Sequence, residues 1–317
     1  MNPRLPKYDK ELLQLLEQTP GVDLTSLTPE KIEPLREAFV SAGVAGLTDG
    51  RSLNVTEWRA SARDGSLLDM TTIQKSSGNP VAALFHIHSG GMIAGDRFIG
   101  MDMVADWVER HNLIATTVEY RLAPEHPDPI PVTDCYDALV AFASQIDDSL
   151  PIIIVGMSAG GGLSAGVTLM SRDLGGPKVS AQLLMCPMLD STNSSPSSKQ
   201  FSGLGLWDRE SNDTGWDALL GDRRGTSEVT HYASPTRAED LSGLPPAFLD
   251  CGTLEVFRSE ILDYAERLTQ ADVPVELHMW SGAFHGFDLS YPGAEVSSLA
   301  LQARERWLER VLKGNME

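Results

Sequence analysis

Short apolar runs alternate with stretches of helical periodicity along most of the chain. The apolar runs are rich in Val, Ile and Leu and lack strict alternation, which is typical of strands buried on both faces of a parallel sheet. The pattern predicts eight strands, at residues 54–60, 68–75, 81–88, 113–119, 151–156, 180–187, 246–251 and 274–280. It predicts helices between them, at 97–110, 131–147, 159–174, 257–270 and 294–313.

This order of elements favours an α/β fold with a mostly parallel, eight-stranded sheet. Strand and helix alternate from residue 81 onward, which predicts right-handed crossovers and helices on both faces of the sheet. No helical pattern separates the first two strands, so we expect them to form an antiparallel hairpin at one edge. A chain of 317 residues is long enough for one large domain of this kind with an added lid.

Two segments fall outside the alternation and predict a helical cap. Residues 8–18 and 29–42 have amphipathic helical patterns and precede every strand, and a Gly-rich connection follows at 43–51. Residues 192–231 are rich in Ser, Gly, Asp and Asn and exceed an ordinary connection in length. We therefore predict a catalytic core at 51–191 and 232–317, with a cap formed by 1–50 and 192–231.

Composition narrows the classes of partner. The formal charge of −19 argues against nucleic acid and anionic membranes as partners. The three cysteines are far apart and form no C-x-x-C pair, which favours buried thiols in a reducing compartment. The first residues lack the apolar segment of a signal peptide, and no apolar run approaches the roughly 20 residues of a membrane span. These features predict a cytoplasmic protein.

A candidate nucleophile lies where the run of isoleucines ends. Residues 156–160 read G-M-S-A-G, directly after the strand at 151–156 and before the helix at 159–174. A G-x-S-x-G match between a strand and a helix predicts a sharp turn that exposes a reactive serine, here Ser158. Glycine is needed at positions 156 and 160 because a Cβ there would collide with a neighbouring strand or helix.

A serine nucleophile needs a base and a carboxylate that orients it. On this type of sheet the acid and the histidine follow the serine in the sequence. Of seven histidines, three do so, and His285 lies in a Gly-flanked loop directly after the last strand. That loop lies at the carboxyl edge of the sheet, where sites of open α/β sheets form. His285 is therefore the predicted base; His278 falls inside a strand, and His231 belongs to another loop.

Two carboxylates compete for the role of acid. Asp250 lies within the strand at 246–251, where a structural role is the alternative, whereas Glu255 lies beyond the turn at Gly252 and can approach His285. We favour Glu255, since orienting an imidazole requires a carboxylate and not a particular chain length.

The sequence H-S-G-G-M at 88–92 follows the strand at 81–88 and provides a candidate oxyanion hole. Glycines let the backbone approach a substrate and aim its N–H groups at a developing negative charge. We predict Gly90 and Gly91 as donors, with the Ala159 N–H as the third. His88 is expected to support the loop.

Five motifs together resemble the hormone-sensitive-lipase-like branch of the serine carboxylesterases. They are H-S-G-G at 88–91, E-Y-R-L-A-P-E at 119–125, G-M-S-A-G-G at 156–161, Y-A-S-P at 232–235 with L-P-P at 244–246, and F-H-G-F at 284–287.

The resemblance implies the α/β-hydrolase fold with an N-terminal cap, and no metal or organic cofactor. It also implies hydrolysis of small carboxylic esters with short or medium acyl chains, and relatives suggest a homodimer. Arg121 and Glu125 would brace their loop. Aligned on Arg258 and Glu260, the family's acid falls on Glu255.

The chain departs from the family at two motifs. Ser89 replaces the second residue of the usual H-G-G-G, but the donor glycines are retained, so we expect activity to survive. The run from Glu255 to Glu260 replaces the usual D-P-L-R-D-E, so Asp250 stays open as the acid.

Other activities also stay open. A lactonase, an amidase or an acyl transferase would use the same three residues, because fold does not determine the substrate. A small-molecule receptor on the same fold is less favoured, since serine, carboxylate and histidine are all present.

Overall fold

The computed structural model describes residues 7–18 and 24–314. It contains eight strands: β1 (Leu53–Ser61), β2 (Leu67–Lys75), β3 (Ala83–Ile87), β4 (Ile114–Val118), β5 (Ile152–Met157), β6 (Val179–Met185), β7 (Ala247–Leu254) and β8 (Val275–Phe284). They form one sheet in the order β1-β2-β4-β3-β5-β6-β7-β8. As predicted, β1 and β2 form an antiparallel hairpin at one edge. β2 is also antiparallel to β4, and the remaining strand pairs are parallel.

The described helices are α1 (Lys10–Gln18), α2 (Ile32–Ala38), α3 (Gly43–Thr48), α4 (Met101–His111), α5 (Ile130–Ala143), α6 (Ala159–Leu174), α7 (Pro196–Gln200), α8 (Arg209–Leu220), α9 (Arg258–Gln270), α10 (Phe287–Ser290) and α11 (Glu295–Leu312). All five helices predicted between the strands are present, and α6 has the predicted bounds. Among the described residues, none of the helices combines the length and the apolarity needed to cross a membrane.

The centre of the sheet explains the run of isoleucines. Every residue of β5 is buried, because β3 and β6 flank it and helices cover it. Helix α6 is itself buried over most of its length. Its small residues permit this: a Cβ at Gly166 would lie only 2.1 Å from the Tyr232 carbonyl oxygen. The tight packing of β5 and α6 fixes the turn between them.

Three helices were missed in segments whose composition indicates loops. Helix α3 lies in the predicted Gly-rich connection, and α7 and α8 lie in the predicted insertion. Their stability comes from tertiary contacts and caps. Leu47 and Trp216 are buried, and the Asp208 side chain caps α8 by accepting a hydrogen bond from the Ser211 N–H. The predicted helix at 29–42 is shorter, consisting of a 3₁₀ turn and α2, which ends at Ala38.

The N-terminal segment and the insertion are joined by hydrogen bonds. The Asp208 carboxylate accepts from the backbone and the hydroxyl of Ser26, at 2.9 Å each. The Thr214 hydroxyl donates to the Leu27 carbonyl oxygen at 2.7 Å. These contacts support the prediction that both segments build one cap.

A buried arginine ties the last elements of the chain together. Arg304 on α11 is fully enclosed and pairs with Asp250 on β7 at 2.9 Å and with Asp288 on α10. Asp250 also accepts a hydrogen bond from Trp280 on β8. The Arg304 guanidinium therefore links α11, β7 and α10 directly, and β8 through Asp250.

We predict that Arg304→Ala destabilises the protein by about 3–5 kcal/mol, because it leaves two buried carboxylates without their cation. Urea unfolding followed by circular dichroism measures the change. The control is Arg310→Ala on the same helix, whose half-exposed arginine pairs with Glu276 at the surface; it should cost no more than about 1 kcal/mol. Equal effects of the two substitutions would contradict a structural role for the buried pairs.

Candidate active site

Ser158 occupies a strained turn between β5 and α6. Its φ of 56° and ψ of −122° lie in a region that residues with a side chain rarely adopt. The backbone around it is fully bonded: its N–H donates to the Met185 carbonyl oxygen at 2.8 Å, and its carbonyl oxygen accepts from Gly162 and Met188. These bonds to β6 and to the loop that follows it hold the hydroxyl at the carboxyl edge of the sheet.

The glycines on both sides of Ser158 are required by close backbone contacts. A Cβ at Gly156 would lie 2.2 Å from the Gly160 carbonyl oxygen, and a Cβ at Gly160 would lie 2.1 Å from the Ile87 carbonyl oxygen. Both distances are far below any tolerated contact. The predicted collisions are therefore present, against helix α6 in one case and strand β3 in the other.

His285 lies between the serine and a carboxylate. Its Nε2 is 2.9 Å from Ser158 Oγ, and its Nδ1 is 2.8 Å from Glu255 Oε2. The imidazole is buried, and its aromatic neighbours are Phe257 and Trp207. The Phe257 contact is T-shaped. Because the carboxylate only accepts hydrogen bonds, Nδ1 carries a proton, which leaves the Nε2 lone pair of the neutral ring facing the hydroxyl.

The two candidate acids have separate partners. Glu255 follows β7 directly and is fully buried, and its second oxygen accepts from the Phe257 N–H at 3.2 Å. Asp250 lies within β7, pairs with Arg304 and makes no hydrogen bond to His285. The geometry therefore brings Glu255, and not Asp250, to the imidazole.

A third group lies beside this pair. The Cys186 Sγ, an imidazole nitrogen of His285 and a carboxylate oxygen of Glu255 lie within 4.8 Å of one another. Burial raises the pKa of the Cys186 thiol to about 11, so the thiol is neutral at ordinary pH. Sequence reasoning missed its position, because nothing in the run M-C-P at 185–187 indicates what the side chain faces.

The environment of His285 favours its charged form. Burial lowers the pKa of the imidazole, but the neighbouring Glu255 carboxylate opposes this and raises that pKa well above 6.5. The imidazolium is thus stabilised where it would form during proton transfer.

The loop at 88–92 presents free N–H groups beside Ser158. Gly90 and Gly91 have φ values of 121° and 65°, and neither N–H donates a hydrogen bond within the described part of the chain. The Ala159 N–H opens helix α6 and has no intrahelical acceptor. A Cβ at Gly91 would lie 2.5 Å from the Trp207 ring. Glycine therefore allows the positive φ values of this loop, and at position 91 it also leaves room for the Trp207 ring.

His88 is fully buried beneath this loop. Its ring stacks on Tyr120 with centroids 4.1 Å apart, and its Nδ1 donates to the Ser89 carbonyl oxygen at 2.8 Å. The Tyr120 hydroxyl donates to the His88 carbonyl oxygen at 3.1 Å. Support of the loop by His88 stays a prediction, and these contacts are compatible with it.

The two predicted bracing residues have different partners. Arg121 pairs with Asp134 and Asp64. Glu125 pairs with Arg36 on α2, which also donates to the Ile93 carbonyl oxygen at 2.7 Å. Glu125 thus connects its loop to the N-terminal segment. The other two histidines that follow Ser158 are remote: His231 pairs with Asp173, and His278 stacks between Phe248 and Trp280.

A small cavity of about 70 Å³ leads to the serine. Its walls come from the core and from both cap segments: Leu24, Leu35 and Phe39 from the first, and Leu206 and Trp207 from the second. Ser89, which replaces a glycine of the family motif, also lines it. The site is therefore an apolar pocket with a few polar groups at its base, the usual form of a small-molecule site.

A mostly parallel sheet, with a strained serine after its fifth strand that bonds a histidine held by an acid, defines an α/β hydrolase. The model of an α/β-hydrolase-fold family matches residues 84–289. A carboxylesterase of Mycobacterium tuberculosis, NlhH, is 32% identical over 295 residues, which cover 88% of this chain and 85% of that one.

Solved structures agree with this assignment. A bacterial heroin esterase is 34% identical and superposes with a TM-score of 0.86, covering 96% of this chain and 98% of its own. An esterase of Pyrobaculum calidifontis is 25% identical with a TM-score of 0.83, covering 98% and 100%. The chain belongs to the hormone-sensitive-lipase-like family of α/β hydrolases.

We expect the imidazole of His285 to titrate above 6.5 in the folded protein, because the Glu255 carboxylate stabilises its charged form. NMR titration of the ring signals measures this pKa. In Glu255→Gln the charge is lost while burial remains, so the pKa should fall below its wild-type value. Asp250→Asn is the control, since Asp250 makes no hydrogen bond to the ring. An unchanged pKa in the Glu255 variant would contradict the coupling.

Proposed function

We propose that the protein is a serine carboxylesterase that hydrolyses small carboxylic esters through an acyl-enzyme on Ser158. The observation that carries this proposal is the continuous path from Ser158 Oγ to His285 Nε2 at 2.9 Å and from His285 Nδ1 to Glu255 at 2.8 Å. The esterases among its relatives support the ester as the substrate, ahead of an amide or a lactone.

In the first half-reaction, the Ser158 hydroxyl attacks the ester carbonyl carbon while His285 Nε2 takes its proton. Glu255 holds the Nδ1–H tautomer and stabilises the imidazolium that results. Collapse of the tetrahedral intermediate expels the alcohol, which receives the proton from Nε2. In the second half-reaction, water attacks the acyl carbon while the neutral imidazole takes its proton. Collapse of this second intermediate breaks the bond to Ser158 Oγ, releases the acid and returns the proton from Nε2 to the serine oxygen.

The oxyanion is stabilised by the N–H groups of Gly90, Gly91 and Ala159. These donors require no reorganisation during the reaction, because the positive φ values and the close packing against Trp207 fix the loop beforehand. His88 acts only through the loop, by its stacking on Tyr120 and its bond to Ser89.

We assign the cap to residues 1–50 and 192–231, whose described part contributes Leu24, Leu35, Phe39, Leu206 and Trp207 to the walls of the cavity. The small volume and the apolar walls of the cavity favour esters with short or medium acyl chains. Location in the cytoplasm and assembly as a homodimer remain predictions of the sequence and the family resemblance, and size-exclusion chromatography tests the second.

We predict that Ser158→Ala lowers kcat on p-nitrophenyl butyrate by roughly 10⁵–10⁶-fold, as removal of a triad serine does elsewhere. Initial rates across the acetate to decanoate series measure the loss. Ser298→Ala, a serine of α11 outside the cavity, is the control and should keep the wild-type rate. Retention of activity by the Ser158 variant would reject it as the nucleophile.

We predict that Glu255→Gln lowers kcat on the order of 10⁴-fold, the effect of the equivalent change in a Ser-His-Asp triad. Since only neutral His285 accepts the proton, kcat/KM of the wild type should rise with pH through the raised pKa of this residue. In the variant, the rise of the residual kcat/KM with pH should occur at lower pH than in the wild type. Asp250→Asn is the matched comparison, and a larger fall in that variant would reassign the acid.

A further inference from the structure

A second cavity adjoins the catalytic one. It has a volume of about 230 Å³, opens to solvent, and lies between α4 and α11, beside the short helix α10 and the ends of β3, β5 and β6. The cap contributes no residue to its walls. The mechanism proposed above makes no use of this space.

Two side chains line both cavities: Met157, which directly precedes the nucleophile, and Leu289 on α10. Met157 is unbranched and has three rotatable bonds, and Leu289 is 41% exposed. The partition therefore contains side chains that can change rotamer. A change of rotamer at either one would open the second cavity toward the space beside Ser158.

The walls of the second cavity are mainly apolar, provided by Met103, Trp107, Met157, Met185, Leu289 and Leu301. Carboxylates lie among them: Asp102 and Asp106 on α4 and Glu305 on α11, accompanied by Arg110. An apolar chain gains from burial here, whereas a negatively charged chain end would meet like charges.

One polar atom faces this space without a protein partner. The Thr117 hydroxyl donates its proton to the Arg97 carbonyl oxygen at 2.7 Å, so it accepts from His86 Nδ1 at 3.0 Å. His86 Nε2 is then an unprotonated acceptor, and none of the described residues donates to it. It faces Gly100, where a Cβ would lie 3.2 Å away. Burial lowers the pKa of His86 to about 3, which keeps this acceptor neutral.

We propose that the second cavity receives an uncharged aliphatic arm of the ester, which extends from Ser158 past Met157 and Leu289. The inference rests on the proposed esterase function and deepens it. It assigns discrimination by chain length to α4 and α11 of the core, in addition to the cap. The arm belongs either to the acyl group or to the alcohol, and the experiment separates the two.

The test fills the cavity from the side remote from the serine. Leu301→Trp on α11 adds volume to the second cavity without lining the first. The matched control is Leu299→Trp, which puts the same side chain on an exposed position of the same helix. Values of kcat/KM are measured for p-nitrophenyl acetate to decanoate, which vary the acyl arm, and for methyl to octyl acetates, which vary the alcohol.

Burial of one methylene strengthens binding about fourfold. If the tryptophan of Leu301→Trp excludes two or more methylenes of the substrate from the cavity, kcat/KM for the longest substrates of one series should fall at least about tenfold. The acetate and the methyl ester should change by less than about twofold, as should every substrate with Leu299→Trp. The series that responds identifies the arm. Leu301→Ala enlarges the cavity and should shift the optimum of that series to longer chains, which keeps the test available if the tryptophan disturbs folding.

An unchanged ratio of long to short substrates in both Leu301 variants, in both series, would overturn the second cavity as a substrate site while leaving the esterase proposal intact. An absence of turnover by the wild type on every ester would instead overturn the esterase proposal, and the inference with it.

Discussion

The geometry of the site depends on one serine held in a backbone conformation that L-residues avoid. Such a conformation costs on the order of 1–3 kcal/mol and persists only where the surroundings determine it. At Ser158 they do so through three backbone hydrogen bonds and through two glycines pressed against carbonyl oxygens. The turn is thus a product of the packed centre of the sheet, and the hydroxyl cannot be displaced without moving β3, β6 or α6.

The positions of His285 and Glu255 depend on a different part of the core. Glu255 follows β7, and His285 follows β8, so their separation is fixed by how these two strands pair. Arg304 strengthens that pairing from below, since it bonds Asp250 in β7 and Asp288 three residues after His285. Asp250, which competes with Glu255 in the sequence, therefore belongs to the contacts that support the candidate catalytic pair.

The central sheet and the candidate triad could be predicted because their signals are local. Runs of β-branched residues identify buried strands, and Gly156, Ser158 and Gly160 place a sharp turn after one of them. Glu255 was separated from Asp250 by its position beyond a strand, which is also a local property. Helices α3, α7 and α8 could not be predicted, because residues such as Leu47 and Trp216 stabilise them through distant contacts that composition does not reveal. The proximity of Cys186 to His285 is of the same kind: it depends on the positive φ of 34° at a residue between β6 and a proline.

The same turn gives the two residues at its apex different surroundings. Ser158 projects into the catalytic cavity, whereas the preceding Met157 still belongs to β5, where it is in register with Met185 of β6. Its backbone is therefore fixed by the sheet while its side chain lies between two cavities. A change of rotamer, or of residue, at this position alters the space beside the nucleophile without moving the nucleophile itself. Under the proposed function, the substrate range of this protein can therefore vary at the partition while the reacting groups keep their positions.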